Sequence, residues 1–173
     1  MHRLIGLACA ALLVACAPSP RPQPGYRQDA PITSIVFFDP ARFAGDWVEV
    51  AAFRPAASRA CPAGRAGFTP RPDGGLAFAL SSCAGADPTD RSGIATLTGP
   101  GRLTMTEGSH TEVWWILWVD EAYRTAVIGM PSGRIGLILN RDRQIPPDRM
   151  RAARDILAWN GYDLARLVPA ARP

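Results

Sequence analysis

The chain carries a series of short apolar or alternating runs separated by turn residues. Eight of these runs read as strands: 47–53, 66–71, 76–82, 94–98, 103–106, 112–119, 123–130 and 135–140. The breaks between them hold Asp73-Gly74-Gly75, Ala86-Asp87-Pro88, Gly99-Pro100-Gly101, Glu107-Gly108-Ser109-His110, Asp120-Glu121-Ala122 and Pro131-Ser132-Gly133. Leu76, Phe78 and Leu80 alternate with Ala77, Ala79 and Ser81, so that strand has one bulky face and one small one. The runs 113–119 and 126–128 are apolar on both faces and must be covered on both sides.

One helix follows the strands. Asp148 is the expected N-cap behind Pro146-Pro147, and the helix runs to Trp159. Met150, Ala153, Ile156, Leu157 and Trp159 form its apolar stripe. Gly161 is the expected stop, and 162–168 adds a last short strand. Consecutive strands without crossover helices make an antiparallel meander, which exposes two edges unless it closes. Eight strands close into a barrel wide enough for side chains or one small ligand. The expected fold class is therefore all-β: an eight-stranded antiparallel up-and-down barrel, with the single helix packed outside as cover for the doubly apolar strands.

Composition sharpens this picture. Hydrophobic residues make up 47 % of the 173 and charged residues 20 %, values ordinary for a chain that buries a core. The 16 Gly and 17 Pro suit many turns and argue against a helical bundle. All 19 basic residues are Arg and they are scattered, so the net charge of +4 gives no nucleic-acid footprint. His2 and His110 are the only histidines, which argues against a multi-histidine metal site, and no cofactor is implied.

The N-terminus reads as an export signal. One certain positive charge in Met1-His2-Arg3 precedes an apolar run, 4–14, too short to span a bilayer as a helix. The run ends Leu13-Val14-Ala15-Cys16, which resembles a bacterial lipobox, with cleavage before Cys16 and lipidation of its thiol. Residues 1–15 are then a signal peptide and 16–36 a tether. The alternating prolines at 18, 20, 22 and 24 favour an extended polyproline spacer. The globular domain spans 37–169. Ala17 in place of Asp favours lipid anchoring in the outer membrane, with the domain facing the periplasm.

An exported compartment is oxidising, so Cys61 and Cys83 read as a disulfide, with two free thiols as the alternative. The hairpin 66–82 turns at Asp73-Gly74, which sets Cys83 opposite a residue near Gly64 and brings the two thiols to one end of it.

Three segments carry a family resemblance. Phe38-Asp39-Pro40-Ala41-Arg42-Phe43-Ala44-Gly45-Asp46-Trp47 resembles the first lipocalin signature, a short helical turn leading to Gly-x-Trp and the first strand. Trp115-Ile116-Leu117 with Asp120-Glu121-Ala122-Tyr123-Arg124-Thr125 resembles the second, and Ile138-Leu139-Asn140-Arg141 the third. With the lipobox, the chain looks like the bacterial outer-membrane lipocalins, which are similar to apolipoprotein D. Val48 departs from the Tyr usual in that branch, and the segment between Cys83 and Arg91 is short. The resemblance implies that Gly45, Trp47, Tyr123 and Arg141 are structural, with Arg141 stacked across Trp47 at the closed end of the barrel.

Function is then expected inside the barrel, as binding of a small apolar ligand such as a fatty acid or lysophospholipid. The resemblance aligns Phe68 and Trp115 with the cup wall. Alternation adds Phe78 and Leu80 and, from the first strand, Glu49 and Phe53, and Met105 is an adaptable wall. Cys61 and Cys83 are expected at the mouth. The alternative is a filled barrel in a structural envelope lipoprotein that acts through protein partners. An enzyme is disfavoured: Ser109, His110 and Glu112 lie in one turn and lack a nucleophile elbow. Haem or another porphyrin stays open as a ligand, with His110, alone in a loop, read as a solvated residue rather than its axial ligand.

Overall fold

The computed structural model describes residues 25–170 except 29, 59–60 and 85–86. The signal segment, Cys16 and the first part of the proline-rich tether lie outside the described residues. A four-residue turn of helix, α1 (Pro40–Phe43), opens the domain and is capped by the Asp39 carboxylate, which accepts from the amides of Ala41 and Arg42. Eight strands follow: β1 (Gly45–Phe53), β2 (Arg65–Pro70), β3 (Leu76–Ala84), β4 (Asp87–Gly99), β5 (Arg102–Glu107), β6 (His110–Val119), β7 (Thr125–Gly129) and β8 (Gly136–Asn140). Helix α2 (Pro147–Trp159) and a short β9 (Leu167–Pro169) complete the chain.

Each strand pairs antiparallel with the next, and β1 pairs with both β8 and β2, so the sheet closes on itself. Gly45 to Val48 of β1 pair with β2; from Ala51 to Phe53 the same edge is taken by β9. The barrel is therefore sealed at the Gly45 end and splays open at the Phe53 end.

Two apolar layers result. The interior holds Phe43, Trp47, Phe68, Leu76, Phe78, Leu103, Met105, Trp114, Ile116 and Ile128. The outer layer joins Val50, Phe53, Leu117, Val127 and Ile138 to Ala153 and Leu157 of α2. This is why 113–119 and 126–128 are apolar on both faces: the barrel covers one side and the helix the other. Arg149 of α2 fixes the helix to the barrel through Thr125 Oγ1 (2.7 Å) and Asn140 Oδ1 (3.1 Å).

Several details differ from the sequence expectation, among them the last strand, which begins at Leu167 rather than 162 because Leu164–Arg166 forms a 3-10 turn, and β7, which begins at Thr125 rather than 123. Pro146 is the N-cap of α2, with no side-chain cap bond, and Asp148 sits inside the first turn, where its charge faces the positive helix end. Trp159 is 82 % exposed and lies off the apolar stripe. β4 begins at Asp87 rather than 94, because its first half is polar and shows no apolar alternation.

Candidate functional site

The closed end of the barrel is built on Arg141. Its guanidinium carbon lies 3.7 Å from the centroid of the Trp47 ring. Its nitrogens donate to the carbonyls of Asp46 (2.9 Å), Arg42 (3.0 Å), Phe43 (3.2 Å), Ala44 (2.9 Å) and Tyr123 (3.2 Å). A planar, forked cation stacks on an indole and saturates carbonyls at once, which an ammonium does not. Burial lowers the Arg141 pKa and Asp46 raises it in part; a guanidinium stays charged regardless. Gly45 has φ +98°, and a Cβ there would meet Arg141 Nη1 at 3.1 Å, so this position suits glycine alone. Trp47 Nε1 donates to the Phe43 carbonyl at 2.8 Å. Tyr123, at φ 55°, takes the Asp39 amide on its hydroxyl (2.9 Å) and lies under Arg42.

Asp120 follows β6 and receives the amides of Arg124 (2.5 Å) and Thr125 (2.6 Å) and the Arg124 Nε (2.9 Å). Burial alone raises its pKa. The hydrogen bonds from Thr125 and Arg124 outweigh that and hold the carboxyl below the ordinary aspartate value.

Above this end the barrel is solid. Phe68, Phe78 and Met105 are 0–3 % exposed and form a floor rather than a wall. The open space begins one layer higher, as a cavity of about 210 Å³ at the mouth. Its apolar lining includes Ala52, Ala66, Leu80, Trp114, Leu137 and Leu139. Its polar lining includes Glu49, Arg54, Ser58 and Arg91, with Arg65 and Arg134 on the exposed rim.

These polar groups form two ionic sets. Glu49, buried, pairs with Arg54, whose Nε lies 3.2 Å from Glu49 Oε1. Arg91 projects inward opposite Leu80 and donates through Nε to Glu107 (2.7 Å) and through Nη1 to Glu112 (3.0 Å). Trp114 Nε1 also donates to Glu112 (3.0 Å). Burial works against the Arg91 charge, but Glu107 and Glu112 outweigh it and hold its pKa above the usual value. The hydrogen bond from Arg91 in turn holds Glu107 below the ordinary carboxylate value. Cys61 and Cys83 are joined at this end of the hairpin, and the Cys61 amide donates to the Ser58 carbonyl at 3.2 Å, so the bridge steadies the turn that carries Ser58.

The expected wall residues therefore separate. Glu49 and Leu80 line the cavity; Phe68, Phe78 and Met105 lie beneath it. Phe53 borders the cavity, but its ring packs outside, 5.3 Å from Tyr26 and 5.1 Å from Tyr162. The cause is a β-bulge between Glu49 and Ala51, which adds one residue and reverses the in–out parity. Trp115 also belongs outside, under Arg102 at 4.2 Å, and its neighbour Trp114 faces in. In a strand apolar on both faces, parity could not be read from the sequence.

Arg91, Ser58 and Trp114 were the residues missed. Arg91 sits in the polar stretch between the expected strands 76–82 and 94–98. The signal that could have found it is its place in a strand whose upper half faces a cavity instead of core. His110 Nε2 lies 3.8 Å from Glu112 Oε2, at an exposed hairpin tip beside Ser109.

Comparison with known proteins agrees with this geometry. Residues 38–172 match the family model described as a lipocalin-like domain. Among curated proteins none is similar enough in sequence to count as a relative. Several solved structures share the fold. Insecticyanin from the tobacco hornworm Manduca sexta is 17 % identical, with a TM-score of 0.62 over 87 % of this chain and 88 % of that one. Lobster apocrustacyanin A1 is 14 % identical, with a TM-score of 0.59 over 77 % and 79 %. The siderocalin Ex-FABP is 17 % identical, with a TM-score of 0.57 over 76 % and 96 %. At these identities the likeness is one of fold. A closed eight-stranded barrel, a stacked Trp47–Arg141 plug at one end and a match across nearly the whole domain together make this chain a member of the lipocalin-like family.

Proposed function

We propose that this lipocalin binds single-chain lipids, fatty acids or lysophospholipids, at the mouth of its barrel, for storage or transport in the bacterial envelope. The observation that carries the reading is the mouth cavity, apolar on the β3, β6 and β8 walls and polar around Glu49, Arg54 and Arg91. Lipocalins as a family bind small hydrophobic ligands in the barrel. A cavity with one greasy side and one ionic side suits an amphiphile, whose chain gains about 25 cal/mol for each Å² of apolar surface removed from water. The 210 Å³ lies below the roughly 300–1,000 Å³ of typical ligand pockets. The floor of Phe68, Phe78 and Met105 stops a chain from entering deeply, so the ligand lies shallow and part of it extends past the rim.

The same proposal places the protein on the outer membrane, facing the periplasm, through lipidated Cys16, as in apolipoprotein D-like bacterial lipocalins. The motif and the proline-rich spacer support this. Labelled palmitate should enter the chain and should not enter Cys16→Ala.

Binding is tested by titrating delipidated protein with a fluorescent fatty acid and following tryptophan emission. Saturable quenching is expected. Its absence would overturn the proposal and leave the second reading, a structural envelope lipoprotein, which the filled lower barrel favours.

A further inference from the structure

The chain reaches the barrel at its mouth. Residues 25–38, of which all but 29 are described, lie along the outside of the barrel as a strap. Its first residues are fixed on the rim. The Tyr26 amide donates to the Gly133 carbonyl (2.8 Å), and Arg27 Nη1 donates to the Pro131 carbonyl (2.9 Å), both in the turn between β7 and β8. Arg27 Nε donates to the Asn160 carbonyl at the end of α2 (3.0 Å). The Tyr26 ring lies 5.3 Å from Phe53, the last residue of β1, and 4.3 Å from the Arg166 guanidinium carbon. From there the strap descends. The Thr33 amide donates to Asn160 Oδ1 (2.9 Å), the Ile35 amide to the Ile116 carbonyl (2.9 Å), and the Asp39 amide to the Tyr123 hydroxyl at the closed end (2.9 Å).

The strap runs from the mouth to the closed end, so traced backwards the chain leaves the domain past the rim. Gly25 stands nine residues after Cys16, a reach of about 30 Å at most. The prolines at 18, 20, 22 and 24 fix φ and disfavour a turn back along the barrel wall. Were the strap loose in solvent, the reach from Cys16 to Phe38 would be about 75 Å, and the domain would be free to tumble. The charge of the rim agrees with the direction. Arg134, in the turn that receives the strap, and Arg65, at the start of β2, are exposed on it. Neither takes part in an ion pair among the described residues. Arginines close to an anionic headgroup layer are drawn to it.

We infer that the barrel mouth faces the bilayer that holds lipidated Cys16, with Arg65 and Arg134 toward its anionic headgroups and the Trp47–Arg141 plug turned away from it. The acyl anchor supplies the hold and the docked strap supplies the direction. This rests on the proposed lipidation of Cys16 and adds an orientation that lipidation alone does not give.

The test is energy transfer from the full lipidated protein to vesicles of phosphatidylethanolamine and phosphatidylglycerol whose headgroups carry an acceptor dye. A donor dye is attached at Ser109→Cys, on the rim hairpin between β5 and β6, or at Glu121→Cys, at the closed end; both positions are exposed. The two ends of the barrel are about 20 Å apart, so transfer from the rim label should exceed that from the closed-end label about twofold or more. A run of Gly and Ser inserted between Ser19 and Pro20 should bring the ratio toward one. Arg65→Gln combined with Arg134→Gln should lower it in part. Neither change should alter the fraction of protein held on the vesicles. Equal transfer from the two labels, or more from the closed end, would overturn the orientation and leave the anchor intact. A ratio untouched by the longer tether would overturn the strap as its cause. Wild-type protein that carries no acyl chain and stays in solution, as Cys16→Ala should, would overturn the anchoring reading and the orientation with it.

Discussion

The two ends of the barrel are made of similar side chains put to opposite use. At the closed end Arg141 stacks on Trp47 and spends its donors on five backbone carbonyls. At the mouth Arg91 is held by two glutamates and keeps one nitrogen unspent. Phe43, Phe68 and Trp47 pack ring against ring at one end; at the other Trp114 stands on a cavity wall. The closed end is saturated and the mouth is not, so on the proposed function stability and binding are separated along one axis. Substitutions should sort accordingly.

The largest effect is expected from Trp47→Ala, which empties the plug. It should cost about 3–5 kcal/mol in urea denaturation. A loss under 1 kcal/mol would mean the closed end is not the keystone. Next is removal of the Cys61–Cys83 bridge by double substitution to Ala. The loop spans 22 residues, for which chain entropy predicts about 3 kcal/mol. This mouth variant should also weaken ligand binding, through the Ser58 turn, whereas Trp47→Ala, where folded, should not.

Arg141→Lys keeps the charge but loses the fork. About 1–3 kcal/mol should go, seen as a lower Tm with unchanged affinity for a fluorescent fatty acid. Altered affinity would break the separation of the two ends. Asp120 tests the closed end through pH. Its folded pKa is depressed, so its contribution is complete above the ordinary aspartate pKa and fades as pH falls below about 4. Asp120→Asn should therefore lower Tm by a few degrees at pH 7 and by less at pH 3, on the order of 1 kcal/mol. Equal losses at both pH values would remove this account. The smallest effect distinguishes two neighbours: Trp114→Phe should reduce fatty-acid quenching, and Trp115→Phe should leave it nearly unchanged.

Much of the architecture was legible because it follows from local pattern. Turn chemistry at Asp73-Gly74-Gly75 and alternation at Leu76, Phe78 and Leu80 specify a hairpin without reference to distant residues. The hairpin in turn set Cys83 near Cys61. The doubly apolar strands announced the covering helix, since no other element could shield their outer face. The closed end could be named because Gly45, Trp47, Tyr123 and Arg141 match the lipocalin signatures, and the resemblance implied the stack that the structure shows.

The site was less legible, for reasons that are tertiary. Phe53 was placed inside by counting twos from Trp47, but one bulge residue turned it outward. Trp114 and Trp115 are alike in sequence, and only their pairing partners, Leu103 and Arg102, decide which faces in. Arg91 lies in a stretch with no apolar rhythm, because that half of β4 borders a cavity and not a core. Sequence by itself determined the strand order, the covering helix and the bridge, since each rests on local propensity or turn chemistry, and resemblance to the lipocalin signatures added the plug. Tertiary structure alone decided how deep the floor rises and which residues border the cavity at the mouth. Those depend on register summed around a closed sheet, where a shift of one residue moves a side chain from one face to the other.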